Sequence, residues 1–139
     1  MRIVLDTNVV FSGLLWTGTP YRLLQRIQAQ PGRQIYSSSV LLDELTDVLT
    51  RPSATKRLSL IGKTAREVLA DYIEAVELVE PIEIPRISRD PDDDHVLACA
   101  LAAHAELIVS ADQDLLVLRE YQAIPILTAA NALQRLDAG

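Results

Sequence analysis

The sequence predicts an α/β fold with a mainly parallel sheet. Short apolar segments rich in β-branched residues alternate along the chain with segments in which apolar residues recur at helical spacing. That alternation is typical of parallel strands joined by crossover helices, and no repeat or low-complexity stretch interrupts it. With 139 residues, 49% of them hydrophobic, the chain is long enough for one domain that buries roughly two-thirds of its unfolded surface. We therefore predict a single domain over residues 1–139.

The first half of the chain is predicted to form two strands and two helices. The first strand is uniformly apolar from Ile3 to Leu5, as expected of a strand buried on both faces. The first helix is indicated by an N-cap residue followed by proline, and the second by leucines at helical spacing after a serine. The predicted elements are a strand from Arg2 to Leu5, a helix from Thr19 to about Gln28, a weak strand from Gln34 to Tyr36, and a helix that Ser38 or Ser39 caps and that ends before Pro52.

The second half is predicted to continue the alternation after a loop or small helix. Proline residues interrupt the margins of one possible strand, and two short apolar runs are read as buried strands. The predicted elements are an amphipathic helix from about Thr64 to Val79, a possible strand from Ile82 to Ile84, a helix within the stretch RDPDDDHVLACAL, strands from Leu107 to Val109 and from Ile124 to Leu127, and a helix from Ala129 to Leu136.

Bulk properties exclude several classes of protein. No apolar stretch reaches the roughly 20 residues that span a bilayer, and the N-terminus meets an aspartate too early for a signal-peptide core, so we expect a soluble cytoplasmic protein. Cys99 is the only cysteine, which rules out an intrachain disulfide. The net charge of −6 argues against nonspecific attraction to nucleic acid or anionic membrane, but it does not report how the charges are distributed.

Acidic residues from four separate segments are predicted to meet at one edge of the sheet. In parallel sheets, ligand sites lie outside the carboxyl ends of the strands. Carboxylates gathered there repel one another, and a hard divalent cation bound by their oxygens compensates the repulsion. The sequence therefore predicts an acidic Mg²⁺ or Mn²⁺ site. The residues concerned are Asp6, Glu44, Asp94, Asp112 and Asp114.

Each acid also has a structural interpretation. Asp92, Asp93 and Asp94 could be favoured in a first helical turn by the helix dipole, and spacing alone does not choose among them. Asp6 could cap a turn with help from Asn8, and Glu44 could lie on a solvated helix face. The two histidines, His95 and His104, lie in no metal-ligand motif and are interpreted as surface or packed residues. The convergence of the acids, rather than any one of them, supports the metal site.

Four segments of the sequence resemble the PIN-domain family. They are LDTNVVFSGLL, SSSVLLDELTDVLTRP, RDPDDDHVLACALAAHAELIVSADQDLL and IPILTAANAL. They occur in this order over nearly the whole chain, and together they are more specific than any single acid. They are similar to the bacterial branch that contains the VapC ribonucleases, the toxins of toxin–antitoxin systems. The resemblance implies a Rossmann-like three-layer α/β/α sandwich and metal-dependent cleavage of RNA.

The resemblance also implies which residues form the site. In the family, one aspartate of the site lies four residues before an alanine of the buried helix. Asp94 matches that aspartate, so the resemblance selects Asp94 from its acidic neighbours. One departure is Ala111, where relatives often have glycine. The implied catalytic and metal-binding residues are Asp6, Glu44, Asp94 and Asp112, with Asn8, Ser110 and Asp114 in support.

One or two Mg²⁺ or Mn²⁺ ions could both activate water and neutralise charge in phosphodiester hydrolysis. We expect Asp6 and Asp94 to hold the first ion, and Glu44 and Asp112 to hold a second ion or to orient the water. No Cys–His or Ser–His pair suggests a competing nucleophile, and no Gly-rich phosphate loop is present.

An RNA-binding segment is predicted from Arg51 to Arg66. Five cations and no acids occur there, which fits a rim that contacts phosphates, although a solvated loop would have the same composition. Arg86 and Arg89 could add to this rim. The five predicted RNA-binding residues are Arg51, Lys56, Arg57, Lys63 and Arg66.

Two other functions remain open. A Mg²⁺-dependent phosphatase or a receiver domain also places acids at strand ends, but the first strand here is followed by DTN and no late strand carries a lysine. A noncatalytic PIN-like module that binds RNA or protein is opposed by the intact acidic set. By resemblance, we also expect a homodimer and a cognate antitoxin. The apolar Leu14, Leu15 and Trp16 could serve such an interface or belong to the core.

Overall fold

A computed structural model describes residues 1–138 as a six-stranded sheet flanked by helices. The strands are β1 (Arg2–Leu5), β2 (Gln34–Ser37), β3 (Val76–Leu78), β4 (Leu107–Val109), β5 (Glu120–Tyr121) and β6 (Ile124–Leu127). The helices are α1 (Thr7–Leu15), α2 (Thr19–Gln28), α3 (Ser39–Leu49), α4 (Pro52–Leu60), α5 (Ala65–Ala75), α6 (Pro91–Ala102), α7 (Gln113–Leu116) and α8 (Ala129–Ala138). No helix among these residues is both long and apolar enough to cross a membrane.

The strand order creates a switch point beside β1. The sheet runs β3-β2-β1-β4-β6-β5, and every neighbouring pair is parallel except the hairpin of β5 and β6. The chain therefore builds outward from β1 in one direction and then returns to extend the sheet in the other. In open parallel sheets, the crevice at the carboxyl ends of the strands on either side of such a point is where ligands bind.

Alternate residues of the central strands fill two apolar cores, one on each face of the sheet. In β1, Ile3 and Leu5 join one core and Val4 the other, because successive side chains of a strand point to opposite faces. Helices α1 to α5 and α8 supply the first core, and α6 and α7 supply the second together with Leu41 of α3. The three layers confirm the predicted α/β/α sandwich with its mainly parallel sheet.

Polar caps start several helices close to the ends of strands. Asp6 follows β1 and accepts the Val9 N–H (2.9 Å) to begin α1, and Ser38 follows β2 and accepts the Leu41 N–H (3.3 Å) to begin α3. Asp90 caps α6 before Pro91, whose fixed φ suits the first helical position. Since these helices begin at the carboxyl edge of the sheet, the residues of their first turns lie beside the switch point.

Two predictions for the segment before α6 are wrong. The helix expected to run to Val79 ends at Ala75, and Val76 to Leu78 form β3. Strand β3 pairs with β2, so sheet hydrogen bonding prevails over the amphipathic pattern. The segment Ile82 to Ile84 is not a strand; the Ile82 N–H donates instead to Ala98 O at 3.4 Å.

Several elements were not predicted. Helix α1 begins directly after β1, at a point that the sequence suggested was a turn, and α7 and β5 are only four and two residues long. The first predicted cap is also displaced, because Gly18 rather than Thr19 precedes α2. Leu14 and Leu15 belong to the core, whereas Trp16 is 42% exposed.

Truncation of Leu97 should destabilise the protein far more than truncation of an exposed leucine. Leu97 is completely buried on α6, so Leu97→Ala should lower the free energy of unfolding by about 2–5 kcal/mol. Leu60 is 71% exposed, and the matched variant Leu60→Ala should change the same quantity by less than about 0.5 kcal/mol. Urea unfolding of both variants measures the difference. Equal effects would contradict the burial of α6.

Candidate metal centre

Asp6 is a buried carboxylate at the switch point. It is 6% exposed and follows β1 next to the end of β4, because Leu5 is in register with Val109. Its Oδ1 accepts the Val9 N–H, and its Oδ2 accepts both the Ala111 N–H (3.1 Å) and the hydroxyl of Ser110. Burial raises the pKa of Asp6, although these hydrogen bonds oppose the rise. The contacts hold the carboxylate in one orientation.

The loop after β4 brings a second carboxylate to the cleft. Ser110 is fully buried, and its Oγ accepts the Asp112 N–H at 3.0 Å while donating to Asp6. Asp112 caps the short helix α7 by accepting the Asp114 N–H at 2.8 Å. A single serine thus connects the two acids. Asp114 itself pairs with the exposed Arg89 at 2.9 Å and does not line the cleft.

Asp93 supplies a third carboxylate from the first turn of α6. It is 6% exposed, and its Oδ2 accepts the Ser88 hydroxyl at 2.9 Å. Desolvation raises the pKa of Asp93 to about 6, and the charge of Asp112 adds to the rise. Oxygen atoms of Asp90, Asp93 and Asp112 all lie within 4.8 Å of one another. Carboxylates this close strongly favour either a shared proton or a bound cation.

Asp94 has a different environment from the one expected. Its carboxylate accepts the backbone N–H groups of Ser88 (2.8 Å) and Ile87 (3.2 Å), and Arg86 Nε lies 3.9 Å away. Asp94 does not line the cleft. The structure therefore does not bring it together with Asp6, and its contacts serve instead to hold the segment before α6 against the helix.

Glu44 lies on α3 between two side chains that orient it. The Thr7 hydroxyl donates to Oε2 at 3.1 Å, and His95 Nδ1 lies 2.7 Å from Oε1. Desolvation raises the pKa of Glu44, and the His95 hydrogen bond opposes the rise. Ligand atoms of Glu44, Asp92 and His95 also lie within 4.8 Å of one another. The histidine is thus in contact with an acid of the cleft, which its sequence surroundings did not indicate.

One polar cleft collects most of the predicted acids. The structure brings Asp6, Asn8, Glu44 and Asp112 together there, and it adds Asp90, Asp92 and Asp93, which the sequence did not select. Helix α6 is apolar on nearly all sides beyond its first turn, so periodicity could not show which of three consecutive aspartates faces the cleft. The cleft is lined by Asp6, Thr7, Asn8, Glu44, Asp47, Val48, Arg51, Asp90, Asp92, Asp93 and Asp112.

The residues present are suited to a hard divalent cation. Carboxylate oxygens are the ligands that Mg²⁺ and Mn²⁺ prefer, and an added imidazole is compatible with Mn²⁺. The two clusters around Asp93 and Glu44 each offer three donor groups and could hold such an ion. In the absence of a cation, hydrogen bonds and protonation are left to offset the mutual repulsion of the acids.

The predicted RNA-binding cations separate into different environments. Arg51 lines the cleft and forms an exposed ion pair with Asp47 at 2.6 Å. Arg57 donates from Nε to Leu15 O at 2.7 Å and is therefore engaged with the end of α1. Lys56, Lys63 and Arg66 are exposed on or beside α4 and α5. Of the five, Arg51 is the one that the structure places at the acids.

One comparison with known proteins finds a match for this chain. The family model described as PIN domain matches residues 2–114, which include β1, the cleft and all the acids above. A search of curated proteins finds no match. The matched segment covers more than half of the chain.

In the absence of metal, Asp93→Asn should become increasingly stable relative to the wild type as the pH rises. The folded-state pKa of Asp93 is raised from 3.8 to about 6. The stability that the protonated Asp93 carboxyl contributes is therefore fully present below about pH 4 and is lost as the pH rises through 6. The asparagine does not titrate and can still accept the Ser88 hydroxyl. Melting temperatures in EDTA should therefore favour the variant increasingly between pH 4 and pH 6. A difference that does not change with pH would contradict the raised pKa.

Asp94→Asn is the matched control, and its effect should have the opposite sign. It weakens the bonds that the carboxylate accepts from Ile87 and Ser88, so the free energy of unfolding at pH 7 should fall by about 1 kcal/mol. Urea unfolding in EDTA measures this change. A gain in stability would instead place Asp94 among the repelling acids, as the sequence alone suggested.

Proposed function

The chain belongs to the PIN-domain family, whose members are generally nucleases, and we propose that it is a Mg²⁺- or Mn²⁺-dependent endoribonuclease. The observation that carries the proposal is the convergence of four carboxylates in one cleft at the switch point of the sheet. Asp6 follows β1, Glu44 lies on α3, Asp93 lies on α6 and Asp112 lies in the loop after β4.

The third acid of this set is Asp93 rather than Asp94. Asp93 is buried beside Asp112 and lines the cleft, whereas both oxygens of Asp94 accept backbone N–H groups. Asp93 and Asp112, with Asp90, would hold one cation, and Glu44 with Asp92 and His95 would hold a second or orient water. A bound Mg²⁺ or Mn²⁺ supplies an activated water and offsets charge on the phosphoryl oxygens.

The chain's own residues hold the acids in position. Asp6 is fixed by three hydrogen bonds, one of them from Ser110, which also accepts the Asp112 N–H. Thr7 and His95 restrain Glu44 from two sides. Such support keeps the acids in place before a substrate arrives, so less reorganisation is required during the reaction.

Arg51 is the residue best placed to meet the substrate. It lies at the edge of an otherwise acidic cleft and its side chain is 59% exposed. A phosphate that enters could exchange with Asp47 for this guanidinium, which suits phosphate oxygens. Lys56, Lys63 and Arg66 would attract further phosphates along the RNA strand.

The cellular role proposed here is that of a cytoplasmic toxin in a type II toxin–antitoxin system, acting as a single-domain homodimer that a cognate antitoxin inhibits. Support for this role comes from the four sequence segments that resemble VapC ribonucleases. The nuclease activity does not depend on it.

Asp6→Asn should abolish metal-dependent cleavage of single-stranded RNA, with a loss of at least about 100-fold. Asp93→Asn should have a comparable effect, and Asp94→Asn should retain most of the activity because Asp94 lies outside the cleft. Gel assays with a labelled RNA in Mn²⁺, Mg²⁺ or EDTA measure the rates. Hydrolysis of a phosphomonoester instead of RNA would favour a phosphatase, and RNA binding without cleavage would favour a noncatalytic module.

Arg51→Gln should reduce the salt dependence of RNA binding. Each phosphate contact on a single strand contributes roughly 0.7 to the slope of log affinity against log salt, so the slope should fall by about that amount. Arg135 is exposed on α8, far along the chain from the cleft residues, and Arg135→Gln is the matched control with an unchanged slope. Fluorescence polarisation at several salt concentrations provides both slopes. An equal reduction in the two variants would remove Arg51 from the phosphate contacts.

A further inference from the structure

Trp16 is an exposed aromatic residue with a fixed orientation. It is the only tryptophan of the chain, it caps the carboxyl end of α1, and 42% of it is exposed. The Phe11 ring lies 5.5 Å away at an angle of 59°, and the Arg57 guanidinium lies 5.5 Å above the indole. Arg57 is itself held by its hydrogen bond to Leu15 O. The indole therefore remains partly exposed while its neighbours restrain it.

Two helices connect Trp16 with the acidic cleft. Helix α1 starts at the cleft with Asp6 and Thr7 and ends at Trp16, and α4 starts at the cleft with Arg51 and carries Arg57 to the same tryptophan. At a rise of 1.5 Å per residue, the two paths are about 15 Å and about 9 Å long. A few nucleotides of single-stranded RNA can span either length.

The surface along these paths is built from segments without acids. The chain has 19 acidic residues against 13 lysines and arginines, yet none of the acids lies between Thr7 and Leu42 or between Val48 and Arg66. Both helices that reach Trp16 fall within these two segments. A polyanion that extends from the cleft toward Trp16 would therefore meet Lys56 and Arg57 of α4, and no carboxylate from α1 or α4.

We infer that Trp16 and Arg57 form a base-stacking subsite for single-stranded RNA, a few nucleotides from the position of cleavage. The inference rests on the proposed function for the presence of RNA in the cleft. Aromatic rings and guanidinium planes are the groups on which unpaired bases stack, and stacking tolerates any base. The subsite would raise the affinity for longer strands and leave the chemistry at the acids unchanged.

The emission of Trp16 reports directly on this subsite, because no other tryptophan contributes. The probe is a mixed-sequence 12-nucleotide single-stranded RNA, added to the wild-type protein in EDTA and to Asp6→Asn in Mn²⁺ to prevent cleavage. We expect saturable quenching of the emission. An abasic oligomer of the same length carries the same phosphates, and it should bind more weakly and leave the emission unchanged.

Variants of Trp16 measure what stacking contributes. Trp16→Leu should weaken binding of the 12-nucleotide RNA by roughly 5- to 100-fold, and Trp16→Phe should retain most of the affinity. In cleavage assays, Trp16→Leu should raise KM for the 12-nucleotide RNA with little change in kcat, and it should leave cleavage of a dinucleotide unchanged. Val117 is 72% exposed, and Val117→Ala is the control for loss of an exposed apolar residue. Circular dichroism establishes that each variant is folded.

The outcomes separate this inference from the proposed function. Quenching by RNA in a protein that never cleaves it would support the subsite and refute the nuclease. Cleavage with an unchanged KM in Trp16→Leu and no quenching in the wild type would overturn the subsite and leave the nuclease intact. Emission that depends on protein concentration but not on RNA would show that a second copy of the chain covers Trp16, which also overturns the subsite.

Discussion

Close packing of carboxylates at the end of β1 is the constraint on which the candidate site depends. Acids within a few ångströms of one another destabilise a fold unless hydrogen bonds, protons or a cation offset their repulsion. Here Asp6 accepts three hydrogen bonds and Asp93 accepts one from Ser88, yet the pKa values of both remain raised by burial. The arrangement is therefore incompletely compensated by the protein itself, which is what a site that binds a divalent cation requires.

The strand order and register of the sheet bring these carboxylates together. Strands β1 and β4 are neighbours although about a hundred residues separate them, and their register places Ser110 next to Asp6. Helices that begin near strand ends carry Glu44 and Asp93 to the same edge. Each acid is thus held by a different element, and the cleft persists only while both apolar cores hold those elements in place.

The sequence predicted the fold and most of the cleft because both depend on local patterns. Short apolar runs locate the central strands, and acids that follow them must lie at the sheet's edge. It could not locate β3, which exists because β2 offers it a partner. It could not separate Asp93 from Asp94, because the distinction depends on where the backbone N–H groups of Ile87 and Ser88 lie. Arg57 likewise has a partner, Leu15 O, that only the tertiary structure reveals.

The most direct test of the account is to locate the cation. Crystals soaked in Mn²⁺ and measured near the manganese absorption edge would show each ion by its anomalous scattering. We expect a peak in the cleft, about 2.0–2.2 Å from carboxylate oxygens of Asp93 and Asp112, since divalent cations of this size bind oxygen at such distances. A peak bound to Asp94, or a cleft without manganese in crystals that hold the ion elsewhere, would contradict the proposal that these acids form a metal centre.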